Sequence, residues 1–230
     1  MNKIKKDEHV NTYIDGVLLV EKGHDDHWTT STKFKQDLVE VFKHGYDDKV
    51  CLELGSHRGY TSKLLSRYFS KVIAVDNDKD FQDFAKQYWN SDNIEYHLKD
   101  IYKDEWSFIN CDPHVVYIDC VNDYDHRKRD IDRCINYFSN PLLIITDYGL
   151  FPGVKQIVDE YVDMGKLVIE RTIGMPVGTH YPRCTQQKFL LDWEGVICST
   201  PHSEYYPTPP ENNDYYTHNP NPSTTPAVHD

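Results

Sequence analysis

From residue 49 onward, short strand-like runs alternate with stretches whose apolar positions recur every three or four residues. The runs at 49–54, 71–76, 94–98, 115–119 and 142–146 have the length of strands. Between them, apolar stripes predict helices: Leu64, Leu65, Tyr68 and Phe69, then Phe81, Phe84, Ala85 and Tyr88. Ile131, Cys134, Ile135 and Phe138 form the next, and Val154, Ile157, Val158 and Tyr161 the last. Upstream, Thr29 to Thr32 offer helix caps, Phe34, Leu38, Val41 and Phe42 share one face, and Gly45 ends the helix. Strands alternating with amphipathic helices imply parallel pairing, right-handed crossovers and helices on both faces. The expected class is therefore α/β, a Rossmann-like doubly wound sheet.

The rhythm changes after the last helix. "KLVIERTIG" (166–174) and "WEGVICST" (193–200) read as two strands with no helix between them, expected to pair antiparallel at one edge of the sheet. The intervening "MPVGTHYPRCTQQ" is too irregular for an element and reads as a loop. Near the start, "YIDGVLLV" (13–20) carries Asp15-Gly16, a hairpin signal. Past residue 200 come seven of the 12 prolines and no glycine, lysine or arginine. Such a segment buries too little apolar surface to order itself alone. It also holds four tyrosines, so a disordered tail and an extended arm on a neighbouring surface both stay open. The expected division is an N-terminal hairpin or arm (1–28), one α/β domain (29–200) and a Pro/Tyr-rich tail (201–230).

Charge narrows the partners. Lys+Arg number 25 against 37 Asp+Glu, a net charge of −12, which counts against a polyphosphate partner such as nucleic acid. The only basic cluster, "HRKR" at 126–129, wraps most of a helix circumference and reads as a solvated face. No stretch approaches the roughly 20 apolar residues that span a bilayer, so no membrane partner is expected. Six cysteines form no C-x-x-C pair and sit in or beside apolar runs. With no leader-like segment at the start, the expectation is a reducing, cytoplasmic location. Nothing in the sequence fixes an oligomeric state.

The chemistry concentrates at "VCLELGSHRG" (50–59) and "KVIAVDND" (71–78). In an open parallel sheet, ligands bind beyond the carboxyl ends of the strands. A turn that approaches a ligand closely favours residues without a Cβ, and Gly55 and Gly59 supply them. Asp76, ending the next strand 17 residues after Gly59, carries a carboxylate able to accept both hydroxyls of a ribose. A dinucleotide site would more often show G-x-G-x-x-G, but position 57 is His, which counts against a nicotinamide oxidoreductase.

With Glu53 ahead of the turn, these residues resemble the E/D-x-G-x-x-x-G motif of class I S-adenosylmethionine-dependent methyltransferases. That resemblance implies that Glu53, Gly55, Ser56 and Gly59 line the methionine part of the cofactor, with His57 and Thr61 in the same turn and helix. It also places Asp76 on the ribose, Asn77 beside the adenine, and Asp100 with Ile101 at the adenine amino group. "YIDCVNDYDHRKRDID" (117–132) and "LLIITDYGLFPGVKQIVDEY" (142–161) resemble passages of catechol-like and macrocin (sugar) O-methyltransferases. Asp119, Tyr124, Asp130 and Asp147 match in register.

The resemblance spans about residues 29–198. It implies a hydroxyl acceptor, a small molecule or glycan, with Asp119 as base or as ligand to Mg²⁺ or Mn²⁺ together with Asp147. In this family a further metal ligand follows Asp147, where this chain has Tyr148, a poor ligand for Mg²⁺. A His or Lys of the pattern is here Asn122. His126 and, in the edge loop, His180 are the other candidate bases. Trp28, Tyr148, Phe151 and Tyr181 are expected around the mouth, where rings stack on sugars or arenes. The alternative reading is a catalytically silent binding module that engages a partner through its tail.

Overall fold

The computed structural model describes residues 10–14, 17–21, 30–181 and 184–201, with side chains for 30–180 and 188–201. Strands β1 (Val10–Ile14) and β2 (Val17–Glu21) form an antiparallel pair. The expected tail, Trp28 and the Asp15-Gly16 turn lie outside the described residues.

Five strands and five helices then alternate. Helix α1 (Thr32–Phe42) is followed by β3 (Val50–Leu54), α2 (Tyr60–Leu65), β4 (Lys71–Asp76), α3 (Lys79–Tyr88) and β5 (Ile94–Leu98). A short 3₁₀ turn at 106–108 precedes β6 (Val115–Ile118), α4 (Tyr124–Tyr137), β7 (Leu142–Thr146) and α5 (Pro152–Asp163). Caps fix the helix starts: Ser31 accepts from the Phe34 amide, Asp78 from Asp80 and Phe81, and Asp123 from His126. Pro152 opens α5, where its missing N–H costs nothing.

Strands β8 (Val168–Ile173) and β11 (Gly195–Ser199) complete a seven-stranded sheet of order β5–β4–β3–β6–β7–β11–β8. Parallel pairs join β5, β4, β3, β6 and β7. β11 runs antiparallel to both β7 and β8, so the reversed strand sits one place in from the edge. The segment expected to be a plain loop instead holds β9 (His180–Tyr181) paired with β10 (Cys184–Lys188). Its "CTQQK" has no apolar face, so no alternation marked it as a strand.

Both faces of the sheet are covered, which is why its central strands read as continuous apolar runs. On one face Cys51, Val72, Ala74, Val115, Tyr117 and Ile144 pack against Phe34, Leu38, Phe42, Leu64 and Leu65 of α1 and α2. On the other, Leu52, Leu54, Ile73, Val116, Ile118 and Leu143 meet Ile131 and Cys134 of α4 and Ile157, Val158 and Tyr161 of α5. Among the described residues no helix is long and apolar enough to cross a membrane.

One charged residue contradicts the sequence pattern. The "HRKR" run falls in α4, but Arg127 is fully buried. Its guanidinium donates to the Ile118 carbonyl at 2.9 Å and to the side-chain oxygen of Asn122. The reading of a wholly solvated face therefore fails at this position, because α4 turns Arg127 under the end of β6.

Candidate functional site

β3 lies where the connections reverse direction along the sheet, with β4 and β5 to one side and β6 and β7 to the other. Beyond the carboxyl ends of these strands lies a cleft of about 920 Å³, within the range of small-ligand sites. Every parallel strand from β3 to β7 sends its following segment to the wall. These contribute Gly55 and His57, then Asp76 to Asp78, then Lys99 to Tyr102, then Asp119 to Asp123, and finally Asp147, Leu150 and Phe151.

The turn after β3 is shaped by backbone approach. Gly55 has φ +84°, and a Cβ there would sit 2.0 Å from the Asp119 carbonyl oxygen. The glycine thus lets the ends of β3 and β6 meet at the cleft floor. The amides of Gly55 and Ser56 both donate to the Val75 carbonyl, at 2.9 and 3.0 Å. The His57 amide donates to Asp76 Oδ2 at 2.7 Å, and the Asp78 amide to Oδ1 at 2.8 Å, so the Asp76 carboxylate is held from two sides. Asp100 is held by the Tyr102 amide and by Lys103, whose ammonium is the main reason its carboxyl sits below the ordinary range.

Several of the expected site residues line this cleft together: Gly55, His57, Asp76, Asn77, Asp100, Ile101, Asp119 and Asp147. Others do not. Gly59 begins α2 at φ +78°, and a Cβ there would meet the Ala85 Cβ at 2.8 Å, so it serves the packing of α2 on α3. Ser56 and Thr61 are buried behind the wall. Glu53 points to the face covered by α1 and α2, is 1% exposed and accepts from the Ser62 hydroxyl. Burial raises its carboxyl to about 8, against the pull of Ser62.

The candidate bases separate in the same way. His126 lies on the exposed side of α4, its ring beside the Asp123 carboxylate and edge-on to Tyr102. His180 is exposed on β9, and neither histidine lines the cleft. Asp119, one residue past β6, does, with Oδ1 2.8 Å from the Thr146 hydroxyl. Burial raises its carboxyl, opposed by Thr146, Arg127 and Lys35. Asp147 is raised too, first by burial and then by the charge of Asp119.

The residues do not fit a resident divalent ion. Among the described residues no group of three His, Cys, Asp or Glu is placed to hold one. Tyr148 turns away from the cleft, donating to Asp159 at 2.6 Å and accepting from Lys155 at 2.8 Å. Asn122 donates to Asp147 Oδ2 at 2.8 Å, occupying an oxygen that a metal would need. The expectation of Mg²⁺ or Mn²⁺ on Asp119 and Asp147 is thus unsupported. Of the expected aromatic mouth, Phe151 lines the cleft and Tyr148 does not, while Trp28 and the Tyr181 side chain lie outside the described residues.

Sequence reasoning missed several residues of the site. Thr30 and Glu194 close one wall; Glu194 is buried and accepts from the Ser31 amide at 2.7 Å and the Met175 amide at 3.0 Å. Lys35, fully buried, donates to the Thr30 carbonyl at 3.0 Å. Arg127 lies beneath the floor. The only signal for Lys35 was its place beside Phe34 and Leu38 on the apolar stripe of α1. In all, seven carboxylates line the cleft against one lysine, Lys99.

No protein-family model and no curated protein sequence matches the chain. Solved structures do match. SMU.776, assigned as a methyltransferase and solved with S-adenosylhomocysteine, aligns over 87% of this chain and 58% of its own at TM-score 0.61 and 11% identity. The N-methyltransferase NodS from Bradyrhizobium japonicum, also solved with S-adenosylhomocysteine, aligns over 73% of this chain and 85% of its own, with TM-score 0.54 and 13% identity. A dimethyladenosine transferase from Plasmodium falciparum aligns over 74% and 62%, at TM-score 0.52 and 16% identity. At such identities the likeness shows the fold, that of Rossmann-like methyltransferases. One of the three is named for N-methylation, one for dimethyladenosine and one for no acceptor, and none is named for a sugar hydroxyl.

Proposed function

We propose that the chain is an S-adenosylmethionine-dependent methyltransferase acting on a hydroxyl of a small acceptor, a sugar or another hydroxylated molecule. The observation that carries this reading is the cleft at the reversal point, where Gly55, Asp76, Asp100 and Asp119 converge. Its chemistry suits the donor, which brings a sulfonium and an ammonium but no pyrophosphate. A wall of carboxylates favours such cations and opposes a dinucleotide or a nucleic-acid backbone. Asp76 offers lone pairs to a ribose diol, and Ile101 and Phe81 give the apolar flanks that a purine needs.

When bound, the donor supplies a methyl group made electrophilic by its sulfonium. The acceptor oxygen forms a bond to that carbon as the carbon–sulfur bond breaks and its electron pair stays on sulfur. The hydroxyl proton passes to Asp119, whose burial makes its carboxylate a stronger base than an ordinary aspartate. The remaining work is alignment. Phe151 and Leu150 offer an apolar face to the acceptor. The acidic lining favours a neutral or cationic acceptor over RNA, although one structural neighbour is a dimethyladenosine transferase.

Calorimetry of the full chain with S-adenosylhomocysteine and with NAD tests the cofactor. Binding of the first alone is expected; binding of NAD alone overturns the reading. Methyl transfer from labelled donor to a panel of sugars and phenols tests the acceptor, with incorporation into RNA as the result that would move the assignment.

A further inference from the structure

Among the described residues Lys103 pairs with Asp100, but no lysine or arginine bonds directly to Asp119 or Asp147. Arg127 is fully buried under the floor, yet it donates to neutral oxygens, the Ile118 carbonyl and the Asn122 amide. Asn122 then donates to Asp147 at 2.8 Å, so the hydrogen-bonded link from the guanidinium to that acid runs through a neutral group. Asp119 is likewise held by the hydroxyl of Thr146 at 2.8 Å. The one lysine in the lining, Lys99, follows β5 on the far side from Asp147. A further polar group waits in the same cleft: Thr30 is 7% exposed, and its hydroxyl has no hydrogen-bond partner of good geometry among the described residues. Buried carboxylates fixed by neutral donors gain most from a ligand that brings the positive charge itself.

We infer that this wall separates the charged methyl donor from its neutral product, with Asp119 and Asp147 as the specificity-determining residues. The inference rests on the cofactor assignment above. Methyl transfer turns a sulfonium into a thioether, so the molecule in the cleft loses one positive charge while its adenosine and amino-acid ends stay the same. Contacts to those ends hold donor and product alike; the charge of Asp119 and Asp147 on the sulfonium holds the donor alone. S-adenosylmethionine therefore binds more tightly than S-adenosylhomocysteine, and the spent cofactor leaves without competing strongly with fresh donor. Placement supports this division of labour. Asp76 and Asp100 lie on the β4–β5 side, suited to the adenosine end that does not change, whereas Asp119 and Asp147 follow the strands on the other side of β3.

Calorimetry on the full chain decides the matter with three probes: S-adenosylmethionine, S-adenosylhomocysteine and sinefungin, which carries an ammonium where the donor has its sulfonium. Both cationic ligands are expected to bind at least about tenfold more tightly than the thioether, or about 1.4 kcal/mol. Asp119→Asn and Asp147→Asn should each cut that ratio by roughly threefold or more, while thioether affinity stays within about twofold. Equal affinities in the unmodified chain, or tighter thioether binding, overturn the inference and leave the cofactor assignment standing. A preserved ratio in both variants removes the role given to the two aspartates. Failure of all three probes to bind overturns the cofactor assignment itself, and this inference with it. The ratio in the unmodified chain decides even where a variant does not fold.

Discussion

Glu53→Gln tests the electrostatics behind the site without needing an acceptor. Glu53 is 1% exposed on the α1/α2 face of β3, and burial lifts its carboxyl from an ordinary 4.5 to about 8. In the unfolded chain the group ionises above pH 4.5; in the folded chain it keeps its proton until about 8. Between those values the unfolded state binds fewer protons than the native one, so stability falls as pH rises and levels off above the folded value. Each pH unit of the interval costs about 1.4 kcal/mol, or roughly 4 kcal/mol between pH 5 and pH 8. That is a large share of the roughly 5–15 kcal/mol that holds a typical domain together. Glutamine keeps the shape and can still accept from Ser62, but does not titrate. Urea unfolding of both proteins at pH 5, 6, 7 and 8 gives the difference in stability, from which other groups cancel. The variant should gain on the parent by about 4 kcal/mol across the series. A difference constant to within about 0.5 kcal/mol would show that Glu53 is already ionised in the native state, refuting the argument.

Three further outcomes are expected. Gly55→Ala places a Cβ 2.0 Å from the Asp119 carbonyl, so the floor must shift; calorimetry should show S-adenosylhomocysteine affinity weakened by at least about tenfold, and unchanged affinity would mean the turn is not the site. Asp119→Asn should abolish methyl transfer with S-adenosylhomocysteine affinity within about twofold, and retained turnover would remove Asp119 from the chemistry. Arg127→Met leaves Asn122 and the Ile118 carbonyl without their donor and buried acids without a nearby cation; a loss of about 3 kcal/mol is expected in urea unfolding, and a loss under about 1 kcal/mol would show the guanidinium to be dispensable.

The sheet was legible because its strands are covered on both faces and its helices carry apolar stripes. Runs such as "VVYI" and "LLIIT" leave little choice, and "DYGLFPG" marks where α5 begins. The glycine turn and Asp76 were legible because they end strands, and strand ends in such a sheet face one crevice. What stayed hidden depends on distant partners. Arg127 looks like any surface residue of "HRKR" until β6 supplies a carbonyl for it. Glu194 lies 163 residues from Ser31, to which it bonds, and no local pattern foretells that pairing. The packing of Gly59 was not legible either, because αL glycine serves helix packing as well as ligand approach, and only the neighbouring Ala85 reveals the former.

The bond between Ser31 and Glu194 bears on the order in which the molecule can assemble. Asp37 also reaches across, accepting from the Gly174 amide at 2.8 Å, so the first helix is tied to the last-made part of the sheet. A nascent chain released by the ribosome up to α5 would hold the glycine turn and most of the acids, yet lack the strand that brings Glu194 into place. Contacts of such long sequence separation form late and slowly. The pocket is therefore finished only when the last strand of the sheet arrives, and a truncation before residue 194 should loosen the first helix of the domain.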